Sequence, residues 1–523
     1  MGVMAEPANT PANASLTDWI AVIAGSLGAL LATLDISITN SALPQIQGQI
    51  GATGTEGTWI STGYLMSEIV MIPLAAWLTR VFGLRRFLIA TAALFSLFSM
   101  YCGLSSSLTM MIIGRVGQGF VGGAMIPTAQ TIIRTRLPPH QLPIGTTLFG
   151  LTVLLGPLLG PVIGGWLTEN IDWRWCFFLN LPISIALIAL LWTGLAPEKA
   201  DARQFFEADW RGIAGLALGL SSLTVVLEEG QRERWFDSGM ICSLTVCTFV
   251  GFALVAWGQL AATRPILRLQ LLANRSFGSV LLIGTVIGAG LYGTAYLVPQ
   301  FLATLSGYNA EQAGGIMLLS GLPAFLLMPL LPRMLKVLDL RLLVGAGLLI
   351  YCASCLCDIY LTAQSVGHDF YASQLLRGFA QILVMMPLSQ LSMGSVAPRD
   401  AGDAAGLYNM ARNLGGTLGL ALIGVLVDRR NHFHDAALRE SVSANSALAQ
   451  DQLAANAAGF LSHGGDPALA QLQALGQFAN DIARQASVMT FNDAFLLLGI
   501  AMLACAPLAF ILKGRPTPVV TRS

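Results

Sequence analysis

The sequence predicts an all-α membrane protein that crosses the bilayer fourteen times, as two six-helix halves with two extra central helices between them. Only 11% of its 523 residues are charged and 54% are hydrophobic, whereas a typical soluble domain has roughly 25% charged residues. Apolar runs long enough to form spanning helices recur from one end of the chain to the other. A pattern at the end of the second run also reappears in the second half of the chain.

The apolar runs give the candidate spans and the organisation of the chain. The fourteen runs are 18–39, 58–78, 87–106, 109–128, 144–166, 177–196, 212–227, 239–260, 277–301, 313–332, 342–362, 371–392, 403–427 and 488–512. They predict five regions: an N-terminal tail (1–17), an N-terminal six-helix half (18–196), two extra helices with linkers (197–276), a C-terminal six-helix half (277–512) and a C-terminal tail (513–523).

The basic residues determine the predicted orientation. If the N-terminus lies in the cytoplasm, 18 lysines and arginines fall in cytoplasmic loops and tails, and only 3 fall in the short loops of the other side. Loops rich in Lys and Arg remain on the cytoplasmic side of a membrane. Both termini are therefore predicted to be cytoplasmic.

A duplication supports the division into halves. Three dipeptides recur 256 residues later with the same spacing: Pro73-Leu74, Arg80-Val81 and Leu84-Arg85 correspond to Pro329-Leu330, Lys336-Val337 and Leu340-Arg341. A second echo aligns Arg115 and the following M-I-P-T-A-Q with Arg377 and M-M-P-L-S-Q. Parallel repeats related by an axis normal to the membrane build a central cavity with alternating access.

A long connection, 428–487, follows the thirteenth span and lies outside the cytoplasm in this topology. It is rich in Ala, Gln, Asn and Ser, and its alanine and leucine content would allow amphipathic helices such as 465–486. Two interpretations remain open, an ordinary solvated loop and a docking surface for a partner.

Asp35 lies within the first span, where a charge costs about 2.5–3.5 kcal/mol. Such a residue needs a partner, a watery cavity or a proton. Removal from water favours the neutral form of a carboxyl group, whereas a neighbouring arginine favours the carboxylate. Asp35 is therefore a candidate for proton coupling, and the alternative is an ion pair that fixes the register of the helix.

Glu68 lies in the middle of the second span, and helical spacing places Tyr64, Glu68 and Met71 on one stripe. A carboxylate beside an aromatic ring and a thioether suits a cationic, apolar ligand. Glu68 is thus a candidate for proton coupling and for substrate binding, with Tyr64 and Met71 in the same binding site. The alternative is a hydrogen-bonded buried acid with neither role.

Three arginines, Arg115, Arg377 and Arg412, fall inside predicted spans and must face the protein interior or a watery path. Arg115 next to Asp35 or to the acid of the second span would form a switchable pair, because protonating the acid would free the arginine. A static salt bridge is the alternative. Arg412 is a candidate substrate contact or a structural partner of Asp403.

The fifth span contains a run of small residues and prolines: Gly156, Gly160, Pro161, Gly164 and Gly165. Glycines four residues apart lie on one face of a helix and allow close approach, and proline removes a backbone donor. A closely packed, kinked helix is predicted from this pattern alone.

The short loop after the second span is basic and holds Arg80, Gly83, Arg85 and Arg86. The positive-inside rule alone explains its charge. A role in gating is the more specific interpretation.

No catalytic residue, metal site or cofactor is predicted. The chain has no persuasive phosphate-binding loop and no H-E-x-x-H motif. Its 28 basic and 28 acidic residues balance, which indicates no nucleic-acid partner. Cys352, Cys355 and Cys357 lie in an apolar run without a nearby histidine and are interpreted as small packing residues.

Five motifs resemble those of a known family over essentially the whole chain. They are L-D-x-x-x-x-N-x-A-L-P (34–44), G-T-W (57–59), R-x-x-Q-G (115–119), G-x-x-x-G-P-x-x-G-G (156–165) and W-R-W-x-F-F-x-N-x-P (173–182). With these motifs and its long loop before the last span, the chain resembles the fourteen-span drug/proton antiporter branch of the major facilitator superfamily, in particular the EmrB-type multidrug exporters.

The resemblance implies a major facilitator fold and proton-coupled export, with Asp35 and Arg115 in proton coupling and 156–165 as the antiporter motif. It also implies the inner membrane of a Gram-negative cell, a periplasmic membrane fusion adaptor and a TolC-like outer-membrane channel. The basic loop departs from the family pattern G-x-L-a-D-r-x-G-r, because Ala76 replaces the glycine and Arg80 the aspartate. That departure weakens a gating role for the loop.

The leading hypothesis is therefore a proton-driven efflux pump for amphiphilic or aromatic small molecules, and not an enzyme. Two alternatives remain. One is an assembly or ligand-sensing subunit of an envelope complex that works through 428–487, and the other is a proton-coupled uptake symporter.

Overall fold

The computed structural model of the chain describes residues 13–198, 200–262, 265–327, 329–442, 446–461 and 466–512. Within these ranges the chain is helical and contains no strand. The predicted tails fall mainly at 1–12 and 513–523, outside the described residues. The all-α prediction is confirmed for the part of the chain described.

Twenty-one α-helices form the molecule in the described ranges. The first nine are α1 (Leu16–Ile50), α2 (Gly54–Gly57), α3 (Trp59–Phe82), α4 (Leu84–Gly103), α5 (Leu108–Gly122), α6 (Met125–Arg136), α7 (Leu142–Asn170), α8 (Trp175–Phe178) and α9 (Asn180–Gly194). Three follow in the middle of the chain: α10 (Ala202–Phe206), α11 (Trp210–Glu229) and α12 (Gly239–Ala261). The last nine are α13 (Arg275–Thr304), α14 (Ala310–Leu318), α15 (Leu322–Leu327), α16 (Leu331–Val337), α17 (Leu340–Cys357), α18 (Tyr371–Gly394), α19 (Ala401–Ser441), α20 (Ala447–Leu461) and α21 (Pro467–Cys505).

Among the described residues, eleven helices are long and apolar enough to cross a membrane, or twelve if a bent pair at 311–337 forms one span. Two predicted spans are not among them. The fourth is interrupted between α5 and α6, and the twelfth, α18, carries Gln374, Arg377 and other polar residues. The chain is thus a multi-pass membrane protein, and the count of fourteen remains a prediction.

The hydrophobic core consists of separate clusters. The largest contains only residues between Val280 and Leu512, and the next contains only residues between Ala21 and Leu195. A third cluster combines side chains of α3, α11, α12 and α19. This third cluster lies where helices of the N-terminal half meet helices of the C-terminal half. It is on the side of the molecule where α3 ends in Arg80 and α6 ends in Arg134 and Arg136. We call this side the basic face.

Helix α7 packs closely along α1. A side chain at Gly156, Gly160 or Gly164 would collide with Thr33, Ser37 or Ser41 of α1. Gly165, in contrast, has open space beside it, and α7 continues through Pro157 and Pro161. The close packing of α7 on α1 therefore requires glycine at these three positions.

The two middle helices bring an additional wall to the bundle. Gly215 and Gly219 of α11 lie directly against Gly251 of α12, which lets the two backbones come into contact. Helix α11 also packs on α3 and on α19. Helix α11 therefore contacts both the N-terminal half and the C-terminal half of the bundle.

The connection 428–487 is largely helical in its described residues. Helix α19 continues to Ser441, α20 covers Ala447–Leu461, and α21 begins at Pro467; residues 443–445 and 462–465 lie outside the described ranges. Asp493 of α21 accepts hydrogen bonds from Arg430 at 2.6 Å and from His434 at 2.7 Å, and so ties α21 to α19. These residues form the helices that their composition allows, because Ala and Gln have high helix propensity and the helices pack on one another. The choice between a solvated connection and a docking surface stays a prediction.

Candidate functional site

Asp35 lies at the centre of a buried polar network formed by four helices. Arg115 donates from Nη1 to Asp35 Oδ2 at 2.5 Å, and Gln118 and Asn180 donate to Asp35 Oδ1 at 3.2 Å and 2.6 Å. Gln118 Oε1 accepts a further bond from Arg115 at 3.0 Å, and Asn180 also donates to Ser99 Oγ at 2.8 Å. Asp35, Arg115, Gln118 and Asn180 are each 0% exposed.

Arg115 is held on its other sides by α3. Its guanidinium carbon lies 4.3 Å from the centroid of the Tyr64 ring, and its Nε donates to the carbonyl oxygen of Ile60 at 3.4 Å. A cation over an aromatic face is stabilised by the ring quadrupole. Tyr64, predicted as a substrate contact, therefore touches the arginine of the ion pair.

Polar partners enclose the carboxyl group of Asp35. Its oxygens accept three hydrogen bonds, one of them from the cationic Arg115. Gln118 and Asn180 are site residues that the sequence analysis did not single out. Both stand in quoted motifs, as the Q of R-x-x-Q-G and the N of W-R-W-x-F-F-x-N-x-P, so the signal was present in the pattern.

Glu68 and Met71 are buried on α3, at 4% and 3% exposure. Within the described residues the side chain of Glu68 has no hydrogen bond or ion pair. Backbone atoms of Glu68 and the side chain of Met71 lie against Gly123, where α5 ends. Glu68 is thus a buried acid where α3 packs against the end of α5.

Arg412 does not pair with Asp403, contrary to one of the two expectations for it. The two residues are nine positions apart on α19, which places them on opposite faces and about 13.5 Å apart along the helix axis. Arg412 instead donates to Asn413 at 3.4 Å and lies in Coulombic range of Glu68 and Tyr292.

Asp403 is bound by two other arginines at the basic face. Arg80 donates from Nη1 to both carboxylate oxygens, at 3.0 and 3.1 Å. Arg268 lies 3.2 Å from Asp403 Oδ2 and also pairs with Asp400. These contacts link the end of α3 and the segment before α13 to the start of α19; we call them the Asp403 link.

The other loop residues surround the turn between α3 and α4. Gly83 has a positive φ of 81°, a conformation that favours glycine. Arg85 stacks over the Trp192 ring at 4.3 Å, and Arg86 is exposed. Arg80 contacts the C-terminal half, at Asp403 of α19, whereas Arg85 contacts α9 of its own half.

Further contacts join the helices near the basic face. Gly402 and Gly406 of α19 lie against α3. Gln130 of α6 donates to Ser389 of α18 at 3.1 Å and accepts a hydrogen bond from Asn409 of α19 at 2.7 Å. Helix α6 of the N-terminal half is therefore hydrogen-bonded directly to α18 and α19 of the C-terminal half.

A multi-pass helical bundle with charged side chains buried at the seam between two sets of helices is the architecture of a membrane transporter. The sequence profile of the Major Facilitator Superfamily matches residues 25–420, and the chain belongs to this family.

The relatives agree with this assignment. The chain is 31% identical over 501 residues to the colistin resistance protein EmrB of Acinetobacter baumannii, which covers 95% of this chain and 97% of the relative. It is 33% identical over 503 residues to the multidrug export protein EmrB of Escherichia coli, covering 93% and 95%. The predicted family resemblance is confirmed.

Solved structures show the same fold. The crystal structure of the human organic anion transporter MFSD10 (TETRAN) superposes with a TM-score of 0.59 at 16% identity, covering 93% of this chain and 99% of that one. The predicted major facilitator fold is confirmed by this likeness.

Proposed function

We propose that the chain is a proton-coupled multidrug efflux antiporter that exports amphiphilic or aromatic compounds across a bacterial inner membrane. The observation that carries the proposal is the fully buried Asp35–Arg115 pair with its shell of Gln118 and Asn180. The relatives named for multidrug export and colistin resistance support the substrate class.

The buried pair converts protonation into a change of packing. A proton on Asp35 removes the counter-charge of Arg115, and a buried charge left without its partner costs about 3–5 kcal/mol. Inverting a two-state equilibrium from 1:99 to 99:1 requires about 5.5 kcal/mol. One protonation thus supplies much of the free energy that switches the bundle between two arrangements.

Glu68 supplies the exchange of proton for substrate. It has no hydrogen-bonding partner within the described residues, and Tyr64 and Met71 lie on the same stripe. A carboxylate binds either a proton or a cationic group, and each excludes the other. Arg412, on the facing helix, balances Glu68 when neither is bound.

The Asp403 link holds the cytoplasmic ends together in this arrangement. The family pattern has an aspartate where this chain has Arg80, and Asp403 supplies the acid from the opposite helix. In this gate the loop supplies the basic residue and α19 supplies the acid, so the positions of the charges are exchanged relative to the family pattern. The basic loop therefore has a gating role in this proposal. Opening toward the cytoplasm breaks it.

The proposed orientation places the basic face in the cytoplasm and the helical connection 428–487 in the periplasm. Helices α19 and α21 have 41 and 39 residues. Each is therefore about 60 Å long, which is twice the thickness of the hydrocarbon core of a bilayer. On α21, Leu469, Leu472 and Leu475 are 50%, 66% and 52% exposed. This stripe is the proposed docking surface for a membrane fusion adaptor, which would connect the pump to a TolC-like channel.

The test is proton release in proteoliposomes. Addition of substrate to the purified chain is expected to release protons. Asp35→Asn is expected to abolish this release. The control is Glu207→Gln, which removes an exposed carboxylate paired with Arg203 at the basic face and is expected to retain the release. Unchanged exchange in Asp35→Asn would exclude the coupling role. Substrate accumulation with the proton gradient would instead identify an uptake symporter, and absence of any transport would favour an assembly or sensing subunit.

A further inference from the structure

A second buried ion pair lies in the C-terminal half and shares no residue with the Asp35–Arg115 network. Asp358 directly follows α17, and Arg377 lies in the second turn of α18. Nη2 of Arg377 donates to Oδ2 of Asp358 at 2.7 Å, and the two residues are 2% and 0% exposed. Ionisable residues buried at membrane depth are costly and are typical of ion pathways and proton relays.

The duplication relates this pair to the network of the N-terminal half. Arg377 is the counterpart of Arg115 in the repeat, and α17 and α4 begin at corresponding residues, so the offset of 256 places Asp358 opposite Cys102. Cys102 donates from Sγ to Oε1 of Gln118 at 3.4 Å, within the Arg115 network. The two halves therefore have a buried arginine at the same place, but its carboxylate comes from α1 in one half and from the end of α17 in the other.

The hydrogen bonding of the Asp358–Arg377 pair is incomplete among the described residues. Oδ1 of Asp358, Nε and Nη1 of Arg377, and Nε2 of Gln374 one turn earlier on α18 are buried and have no partner there. Nε and Nη1 of Arg115, in contrast, both donate hydrogen bonds. Buried polar groups without a partner are rare in native proteins. A proton can bind Oδ1 of Asp358 without breaking a hydrogen bond, whereas both oxygens of Asp35 are bonded.

The surroundings of Asp358 leave Arg377 as its ion-pair partner among the described residues. The hydroxyl group of Tyr351 on α17 is hydrogen-bonded to a threonine of α13 at 3.0 Å, and Arg484 of α21 donates to two backbone carbonyl oxygens at 2.7 Å. Before α18, His368 and Asp369 pair with each other at the surface. The other titratable side chains within two turns on α17 are Cys352, Cys355 and Cys357.

We propose that Asp358 is a further proton-binding residue of the exporter, with Arg377 as its partner, so that the C-terminal half has a coupling site of its own. The inference rests on the proposed export function. The proposed orientation places the end of α17 on the periplasmic side, from which the driving proton enters. A proton on Asp358 removes the counter-charge of Arg377 and so biases the packing of α17 on α18.

Infrared difference spectra test proton binding without any substrate. Spectra of the purified full-length chain in acidic and neutral buffer differ by the C=O stretching bands of protonated carboxyl groups, and a buried carboxyl group has a band separate from those of exposed acids. Asp358→Asn is expected to remove one such band. The matched control is Asp369→Asn, which removes an acid of the same connection with a side chain 38% exposed and is expected to keep the band.

Transport tests whether this proton is coupled. In proteoliposomes at zero membrane potential with a pH difference of about one unit, each coupled proton multiplies the steady-state gradient of ethidium, an aromatic cation, by about ten. Asp358→Asn is therefore expected to lower this gradient about tenfold, and Asp369→Asn to leave it unchanged. Asp358→Asn combined with Arg377→Gln removes both charges and is expected to remain at the lowered value.

Three results would overturn the inference: the same infrared bands in Asp358→Asn and the unmodified chain, an unchanged ethidium gradient in Asp358→Asn, or full recovery of the gradient in the double variant. Full recovery would show that the pair only holds α17 to α18. If the unmodified chain builds no ethidium gradient, the export proposal fails. Loss of the infrared band in Asp358→Asn would in that case still identify Asp358 as a proton-binding residue.

Discussion

At the scale of single residues, the protein buries the Asp35–Arg115 ion pair where the membrane interior makes it expensive and surrounds it with polar and aromatic partners. Arg115 bonds to Asp35 and Gln118, lies over Tyr64 and bonds to the backbone at Ile60. A planar guanidinium makes all these contacts at once, and an ammonium group does not. The identity of the cation, and not only its charge, is therefore expected to matter.

Arg115→Lys tests this expectation. The variant keeps the positive charge but loses the stacked, multiply bonded geometry, so we expect substrate-dependent proton release to fall by roughly tenfold or more. Arg86→Lys, an exposed arginine of the basic loop, is the control and should leave the rate unchanged. Comparable rates in Arg115→Lys and the unmodified chain, measured in proteoliposomes with a pH-sensitive dye, would show that charge alone suffices.

Sequence reasoning reached Asp35 and Arg115 because charges inside an apolar run require partners. It missed Gln118 and Asn180, since neutral amides carry no such requirement. It also allowed Arg412 to pair with Asp403, which a count of helical turns excludes.

At the scale of elements, glycine spacing on α7 determines how closely the helix approaches α1. A Cβ at Gly160 would collide with Ser37, whereas one at Gly165 meets nothing within 4 Å. The two positions belong to the same motif and differ in packing. They therefore separate the contribution of helix contact from that of the motif as a whole.

Gly160→Leu is expected to destabilise the protein by about 1–3 kcal/mol or more, since overpacking forces the two backbones apart. Gly165→Leu is expected to be tolerated. The measurement is the Tm of the detergent-purified variants, together with transport. If both substitutions lower the Tm equally, close packing of α7 on α1 does not explain the motif.

The element boundaries show where sequence patterns stop being informative. Apolar runs locate spans because a helix of about 20 residues must cross the hydrocarbon core. They do not reveal that α5 ends at Gly122 and α6 begins at Met125, since both sides of the break are apolar. The helices α19 and α21 extend beyond the core, and with α20 they contain most of the described residues of 428–487.

At the scale of the whole molecule, the contacts between the N-terminal and C-terminal halves near the basic face include the ion pairs of the Asp403 link. Asp403 has a side chain only 5% exposed and holds two arginines, Arg80 and Arg268, whose side chains are 36% and 43% exposed. Partly exposed ion pairs contribute up to about 1 kcal/mol each. Such a link biases an equilibrium between arrangements without locking it.

Asp403→Ala is expected to shift the closed-to-open ratio at the basic face by about fivefold, the equivalent of about 1 kcal/mol. Spin labels at positions 86 and 399, both exposed, report the separation of the two sets of helices by pulsed electron resonance. Arg203→Ala removes the ion pair of the same face between Arg203 and Glu207, four residues apart in the chain, and should leave the distances unchanged. Because Asp403 holds both arginines, Arg80→Ala combined with Asp403→Ala should open the face no further than Asp403→Ala alone. Additive opening would show that Arg80 acts through another partner, and the Asp403 link would not be the gate.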